Sequence, residues 1–400
     1  MAKKTISIQT PERLRQLPPY LFAEVDRRKR ELKGRGKDVI DLGVGDPDLP
    51  TPDFIIEALS QAAQDPGNHR YALDAGMPAF RESIRDWFRK RFGVKLDAEK
   101  EILPLIGSKE GIAHLPLAVL NPGDGAFIPD PGYPPYRSGT LFAGGVPILM
   151  PLLESNEFLP DLSFLDSPVL KKAKILYLNY PNNPTSATAS KAFFQEAVNF
   201  AHEHGLLIAQ DAAYAEVGYD GYEAPSILEI EGAMDVAVEF HSLSKTFNMT
   251  GWRVGFAVGN REALALLAKV KSNIDSGIFQ AVQLAAKKAL DQGESAHREI
   301  LRVYQKRRDL FIQGLNRIGW AARLPQATFY CWIPVPPGST SGELALKFLE
   351  ELNIVVTPGN GFGPNGEGYF RVSLTVPEVR LQEALARIEK NHPHKKSAGA

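Results

Sequence analysis

Residues 175–211 read ILYLNYPNNPTSATASKAFFQEAVNFAHEHGLLIAQD, and the fold is decided there. The stretch opens on a short apolar run at 175–178 and passes through turn residues. It continues with helical period over 191–204 and closes on a second apolar run at 206–209. Two short β-rich runs separated by a helix-length pattern form a strand–helix–strand unit, the connection that parallel strands require. The same alternation repeats outward. Residues 102–106, 125–128, 236–240 and 253–258 have strand texture, and 111–120 and 261–272 have helical period. This predicts a largely parallel sheet covered by helices on both faces. The connection from 236–240 to 253–258 is short, which leaves the last strand free to enter antiparallel.

From about residue 290 the texture changes. A long charged helix near 297–314 precedes short strands around 328–333 and 369–373, with helices expected at 341–352 and 377–390. These read as a smaller α+β domain. Residues 10–34 read as a proline-broken arm and helix that could pack with it, and the polar tail 392–400 is expected to fray. The expected division is 1–49 as arm and part of the small domain, 50–289 as the large domain and 290–400 as the small one. A chain of 400 residues exceeds what one core usually fills.

Composition narrows the function. With 44% hydrophobic and 23% charged residues and a formal net charge of -1, nothing electrostatic points to nucleic acid or an anionic membrane. No apolar run is long enough to span a bilayer, and the N-terminal residues are polar, without the pattern of a secretory signal. Cys331 is the single cysteine, which excludes an internal disulfide and a multi-cysteine metal site. No metal is expected, and the cytoplasm is the expected compartment.

In sheets of this kind ligands bind at the carboxyl ends of the strands. Chemistry-bearing residues cluster there: Gly107-Ser108-Lys109, Asp130 to Tyr133, Asn179 to Thr185, Asp211 to Tyr214, and His241 to Lys245. A lysine such as Lys245 is a nucleophile if desolvation lowers its pKa, and otherwise an ordinary solvated loop residue. Ser242, Ser244 and Arg253 together suit a dianionic phosphate. A lysine beside a phosphate site suggests a cofactor carrying both an aldehyde and a phosphate. Ser108 and Lys109 stand where a helix begins, which suits phosphate but also a plain strand-to-helix turn.

Asp211 ends an apolar run. Burying it unpaired would cost several kcal/mol, so it needs a cationic or hydrogen-bonding partner, of which a protonated pyridine nitrogen is one. A helix N-cap is the competing reading. Tyr214 and Asn183 could reach a ring hydroxyl, and Tyr133 could stack on a ring face or simply pack. Arg371 interrupts an apolar strand and wants a carboxylate, either a substrate's or one in a structural ion pair.

Taken together, Asn183-Pro184-Thr185, Asp211-x-x-Tyr214 and Ser242-x-Ser244-Lys245 with Arg253 resemble the class I/II aminotransferases of fold-type I, as do Gly43, Tyr71, Tyr133 and Arg371. The resemblance covers nearly the whole chain. It implies an α/β fold: a pyridoxal-phosphate-dependent transferase of fold-type I, with a large, mostly parallel-sheet α/β domain and a smaller α+β domain. It also implies pyridoxal 5'-phosphate held as a Schiff base on Lys245, with Asp211 at the pyridine nitrogen and Asn183 and Tyr214 at the ring oxygen. Tyr133 would stack, and Ser108, Lys109, Ser242, Ser244 and Arg253 would surround the phosphate. Tyr71 resembles a tyrosine that reaches a neighbouring subunit's phosphate, implying a homodimer with shared sites. Amino acids and 2-oxo acids would be the substrates, in ping-pong order.

Within the family, residues 17–22, 43–50, 106–111 and 271–277 resemble the bacterial group that exchanges the amino group between LL-diaminopimelate and 2-oxoglutarate on the route to lysine. That substrate needs one carboxylate held by Arg371 and the Gly43 backbone, and polar recognition for its far end. Lys109 is the candidate for a distal carboxylate. Tyr20, Tyr71 and Asn273 are further candidates, the last from a partner subunit. Tyr20 could equally be arm packing and Asn273 a helix C-cap. Residues 272–277 lack an arginine, so an aspartate-type distal arginine has no evident candidate there. The rival readings are an aspartate or alanine aminotransferase, a C–S lyase, and a cofactor-binding regulator without useful turnover. The short N-terminal arm leaves little room for the DNA-binding module such a regulator carries.

Overall fold

A computed structural model describes residues 6–17, 22–72, 75–164 and 170–391. The tail 392–400 and Tyr20 lie outside the described residues. The strands are β1 (Ile40–Asp41), β2 (Ile102–Leu105), β3 (Gly125–Asp130), β4 (Val146–Pro151), β5 (Ala173–Asn179) and β6 (Leu207–Asp211). They continue as β7 (Ala237–Ser242), β8 (Gly255–Gly259), β9 (Tyr330–Pro334), β10 (Ile354–Val355), β11 (Thr357–Pro358) and β12 (Tyr369–Ser373).

Seven of them form one sheet in the order β2-β8-β7-β6-β5-β3-β4. β8 runs antiparallel to both neighbours, while β7, β6, β5, β3 and β4 pair in parallel. The pleat sends Leu105, Ile128, Ile175, Tyr177 and Phe240 to one face, against Ile112, Leu115 and Leu267 of helices Ser108–Val119 and Arg261–Ile274. Phe127, Leu176, Leu178, Ile208 and Phe256 go to the other face, against Phe194 and Val198 of helix Lys191–His204 and Phe88 of Pro78–Phe92. Burial on both faces is why these strands read as continuous apolar runs rather than alternating ones.

The crossover helix is bounded as its sequence requires. Ser190 accepts from the Phe193 N–H at 3.2 Å, and Gly205 closes the helix at φ 64, a conformation glycine adopts freely. β4 was not foreseen. Its Pro147 and Pro151 weaken the strand signature, and it sits at the sheet edge, where proline is tolerated.

The second core gathers Tyr304, Phe311, Leu315, Phe348, Phe370, Val372 and Leu381, from helices Glu294–Arg317, Ser341–Leu352 and Glu378–Lys390 and from β12. They pack with an antiparallel sheet in the order β11-β12-β9. Residues from before position 50 join this unit. β1 pairs in parallel with β10, the Ser373 N–H donates to the Leu42 carbonyl at 2.7 Å, and Lys29 of helix Phe22–Gly34 pairs with Asp41.

The sense of β8 positions the site. The carboxyl ends of β2, β3, β5, β6 and β7 share one edge. Because β8 is antiparallel, the residues preceding it arrive at that same edge. Arg253 therefore comes to the strand ends. It stands just before β8 with φ 54, rather than inside the strand as its apolar neighbours suggested. Among the described residues, no helix is long and apolar enough to cross a membrane.

Candidate active site

Between this edge and the second core lies a cavity of ≈ 650 Å³. Its walls bring together twelve of the residues singled out in the sequence: Gly43, Ser108, Lys109, Tyr133, Asn183, Asp211, Tyr214, Ser242, Ser244, Lys245, Arg253 and Arg371. Tyr71 is elsewhere, 88% exposed. Asn273 lies on an exposed helix end, donating to the Lys269 carbonyl at 2.8 Å, so it does not enter this cavity from the same chain.

One end of the cavity is built for an anion. Gly107 has φ 74 and ψ 151, a backbone conformation essentially restricted to glycine. A Cβ there would lie 2.3 Å from Nη2 of Arg253, so only glycine lets the guanidinium settle on this turn. A Cβ on Gly255 would meet the Ser108 nitrogen at 2.9 Å. Two glycines thus draw the start of helix Ser108–Val119 against Arg253. Nη1 of Arg253 donates to the Thr250 carbonyl at 2.9 Å. Ser242 Oγ accepts from the Ser244 N–H at 3.3 Å and keeps its own proton available. Backbone N–H groups at a helix start, hydroxyls and a guanidinium together make a set of donors that can hold an anion such as a phosphate.

Lys245 follows β7, in the short helix Leu243–Thr246. Its Nζ donates to the Gly45 carbonyl at 2.9 Å and stands 5.6 Å from the Phe329 ring centre. Burial pulls its pKa down to about 8, helped by the charges of Arg371 and Arg253 and opposed by Asp46. Near neutral pH a useful share of this amine is uncharged and nucleophilic.

Asp211, at the end of β6, has the opposite problem. Its Oδ2 accepts from Tyr136 OH at 2.8 Å and its Oδ1 from the Ala213 N–H at 3.2 Å. Burial raises its pKa to about 6, against the pull of those two hydrogen bonds and of His241. No helix follows it, so the N-cap reading falls away. Among the described residues it forms no ion pair, and a carboxylate so placed favours a cation brought by a ligand.

Arg371 projects from β12. Nη1 donates to Asn183 Oδ1 and Nη2 to the Gly43 carbonyl, both at 2.7 Å, while Nε is buried without a partner. Its guanidinium carbon lies 4.1 Å from the Tyr330 ring centre and 4.7 Å from that of Phe362. Among the described residues no carboxylate pairs with it, so the structural ion pair is not formed. A positive, planar group with an unused donor is ready for a ligand carboxylate.

Three contributors carried no assigned role in the sequence. Tyr330 OH shares a 2.8 Å hydrogen bond with Tyr214 OH, and its ring lies under Arg371. Tyr136, three residues beyond Tyr133, holds Asp211. Asn179 donates to the Asp211 carbonyl at 2.7 Å and accepts from the Asn183 N–H at 2.9 Å, locking two strand ends together. Tyr133 meets Tyr136 edge-on at 5.7 Å. Burial pushes the phenol pKa values of Tyr133 and Tyr214 well up, so both remain protonated donors.

Residues 37–388 match the family described as aminotransferase class I and II. The chain is 55% identical over 380 residues to an LL-diaminopimelate aminotransferase from Maridesulfovibrio salexigens, covering 95% of this chain and 98% of that one. It is 51% identical over 383 residues to the LL-diaminopimelate aminotransferase of Desulforudis audaxviator, covering 96% and 98%. Among solved structures, substrate-bound BacF from Bacillus subtilis matches with a TM-score of 0.92 at 38% identity, covering 96% of this chain and 98% of that one.

Proposed function

The chain belongs to the class I and II aminotransferases, and from that premise we propose that it exchanges the amino group between LL-diaminopimelate and 2-oxoglutarate, with pyridoxal 5'-phosphate as cofactor. The carrying observation is a buried amine with its pKa lowered to about 8, Lys245, in one cavity with a carboxylate, Asp211, that forms no ion pair among the described residues. For the substrate, support comes from relatives about half identical over nearly the whole chain that are LL-diaminopimelate aminotransferases. Such a reaction serves lysine formation, and we place it in the cytoplasm.

The donor set fits the cofactor. Ser108, Lys109, Ser242, Ser244 and Arg253 would hold its phosphate, Asn183 and Tyr214 its ring oxygen, and Tyr133 would cover the ring. When bound, pyridoxal phosphate supplies an aldehyde for an amine to condense with and a ring that draws electrons from the substrate's α-carbon. Asp211 would keep a proton on the ring nitrogen, which relieves the cost of its own burial. Lys245 would hold the cofactor between turnovers. During turnover its amine would take the proton from the substrate's α-carbon and deliver it to the carbon that carries the cofactor's aldehyde, acting first as base and then as acid. Arg371 would fix the α-carboxylate, joined by the Gly43 N–H once that leaves Asp41 Oδ1, its acceptor at 3.0 Å here, and this orients the Cα–H bond toward Lys245. The Lys109 ammonium would meet the distal carboxylate, leaving its backbone N–H in the first helical turn for the phosphate.

Tyr71 is exposed, as are Ile274 and Phe279, and this suits a surface covered by a second copy. We assign Tyr71 to a partner's phosphate and Asn273 to a partner's substrate pocket, in a homodimer.

The test is glutamate formation from 2-oxoglutarate with LL-diaminopimelate, meso-diaminopimelate, aspartate or alanine as donor. The expected order puts LL-diaminopimelate first by kcat/KM. A preference for aspartate or alanine would move the chain to the rival reading.

A further inference from the structure

Lys271 is 1% exposed, and no step above uses it. It lies near the end of helix Arg261–Ile274, packed against helix Ser108–Val119, which opens at the phosphate cradle. Its Nζ donates to both oxygens of Glu110, at 3.1 and 3.2 Å, and to Oδ1 of Asp275 at 2.7 Å. Glu110, His114 and Asp275 converge closely enough to suggest metal ligands. The ammonium bonded to both carboxylates already supplies their cation.

Glu110 is more than a neighbour of the cradle. Its N–H donates to the Gly107 carbonyl at 3.1 Å, and its Oε2 accepts from the Ile106 N–H at 2.5 Å. It therefore grips the Gly107 turn from both sides, and that turn carries Ser108 and seats Arg253. This places a carboxylate in the first turn of the helix whose N-terminus faces the phosphate site. A carboxylate there strengthens the helix but repels a dianion arriving at the same end. A buried ammonium on that carboxylate cancels much of the repulsion and fixes its orientation.

We propose that Lys271 is a positioning residue for the phosphate cradle: its buried ammonium neutralises and aims Glu110, so that the Gly107 turn accepts a phosphate dianion. This rests on the pyridoxal phosphate reading above. Lys271 touches no substrate and acts through Glu110.

The experiment compares the affinity of cofactor-free protein for pyridoxal phosphate and for pyridoxal, which lacks the phosphate, by absorbance titration. Lys271→Met should weaken pyridoxal phosphate binding by about tenfold or more, while pyridoxal binding changes little. General damage to the fold would weaken both together. Removing one partner of a buried pair can itself unfold a protein, so the double variant Glu110→Gln with Lys271→Met is measured beside it. The Glu110→Gln substitution keeps an acceptor for the Ile106 N–H without the charge, and phosphate discrimination should return to within about threefold of the unmodified protein. An unchanged phosphate-to-pyridoxal ratio in Lys271→Met, or a double variant discriminating as poorly as the single one, would overturn the proposal. If the unmodified protein itself fails to prefer pyridoxal phosphate over pyridoxal, the cofactor reading falls and takes this proposal with it.

Discussion

Lys245 should lose its proton near pH 8, and its acylation as a function of pH measures this directly. The difference between the ordinary 10.5 and about 8 corresponds to about 3 kcal/mol against the charged amine. Because the side chain also faces the cavity, that is an upper bound. At pH 7.5 about a quarter of the Lys245 amine would be neutral, against about 0.1% for an unperturbed lysine, a gain of roughly 250-fold. Cofactor-free protein is treated with trace acetic anhydride from pH 6 to 11, with N-acetyl-lysine as internal standard, and labelling at Lys245 is read by mass spectrometry. Labelling should be half-maximal near pH 8 and level above it, while the standard keeps rising. Stability carries the matching sign. Below about pH 8 the folded chain holds a desolvated charge, so Lys245→Met should be the more stable protein there. The gain is about 3 kcal/mol at most, less about 1 for the bond to Gly45. It should shrink as pH climbs from about 8 toward 10.5, where the unfolded chain loses its proton too. Labelling that rises in step with the standard beyond pH 10 would show that Lys245 titrates as an ordinary lysine.

Other perturbations have defined directions. Asp211→Asn should weaken pyridoxal phosphate binding yet stabilise the cofactor-free protein at pH 7.5, since burial raises the Asp211 pKa from 3.8 to about 6 and the folded state bears the charge above that. Thermal melts should show the stability gain, of about 3 kcal/mol at most, vanishing as pH falls through 6 toward 3.8. Arg371→Lys cannot reach Asn183 and Gly43 together or present a paired donor, and steady-state kinetics should show KM for the amino acid rising by about 30- to 100-fold with a smaller fall in kcat. Gly107→Ala puts a methyl 2.3 Å from Arg253 in a conformation costing about 1–3 kcal/mol. Equilibrium dialysis should show cofactor affinity falling by about tenfold or more.

Much of this molecule is legible in its sequence because its strands are buried on both faces. Residues 175–178 and 206–209 stand out as apolar runs for that reason, and the helix between them is punctuated by Ser190 and Gly205. β4 escaped notice because an edge strand needs less apolar character and admits Pro147 and Pro151. The residues gathered at the cavity were visible because topology sends every parallel strand end, and the start of β8, to one edge. Tyr330 and Tyr136 were not visible in this way. Each acts on a group far along the chain, Tyr330 on Tyr214 and Arg371, Tyr136 on Asp211, and a tyrosine in an apolar strand or helix reads locally as packing. Lys271 was hidden for the same reason, as an ordinary cation near a helix end until tertiary packing buried it between Glu110 and Asp275.

On the proposed function, Lys245 carries an amino-group exchange on LL-diaminopimelate. Its most direct test is glutamate formed from 2-oxoglutarate and LL-diaminopimelate by cofactor-loaded protein, measured beside Lys245→Ala of verified fold. The unmodified protein should form one glutamate for each LL-diaminopimelate consumed, and the variant should be slower by about a thousandfold or more. Near-normal turnover by Lys245→Ala, or an unmodified protein inert toward LL-diaminopimelate, would contradict it.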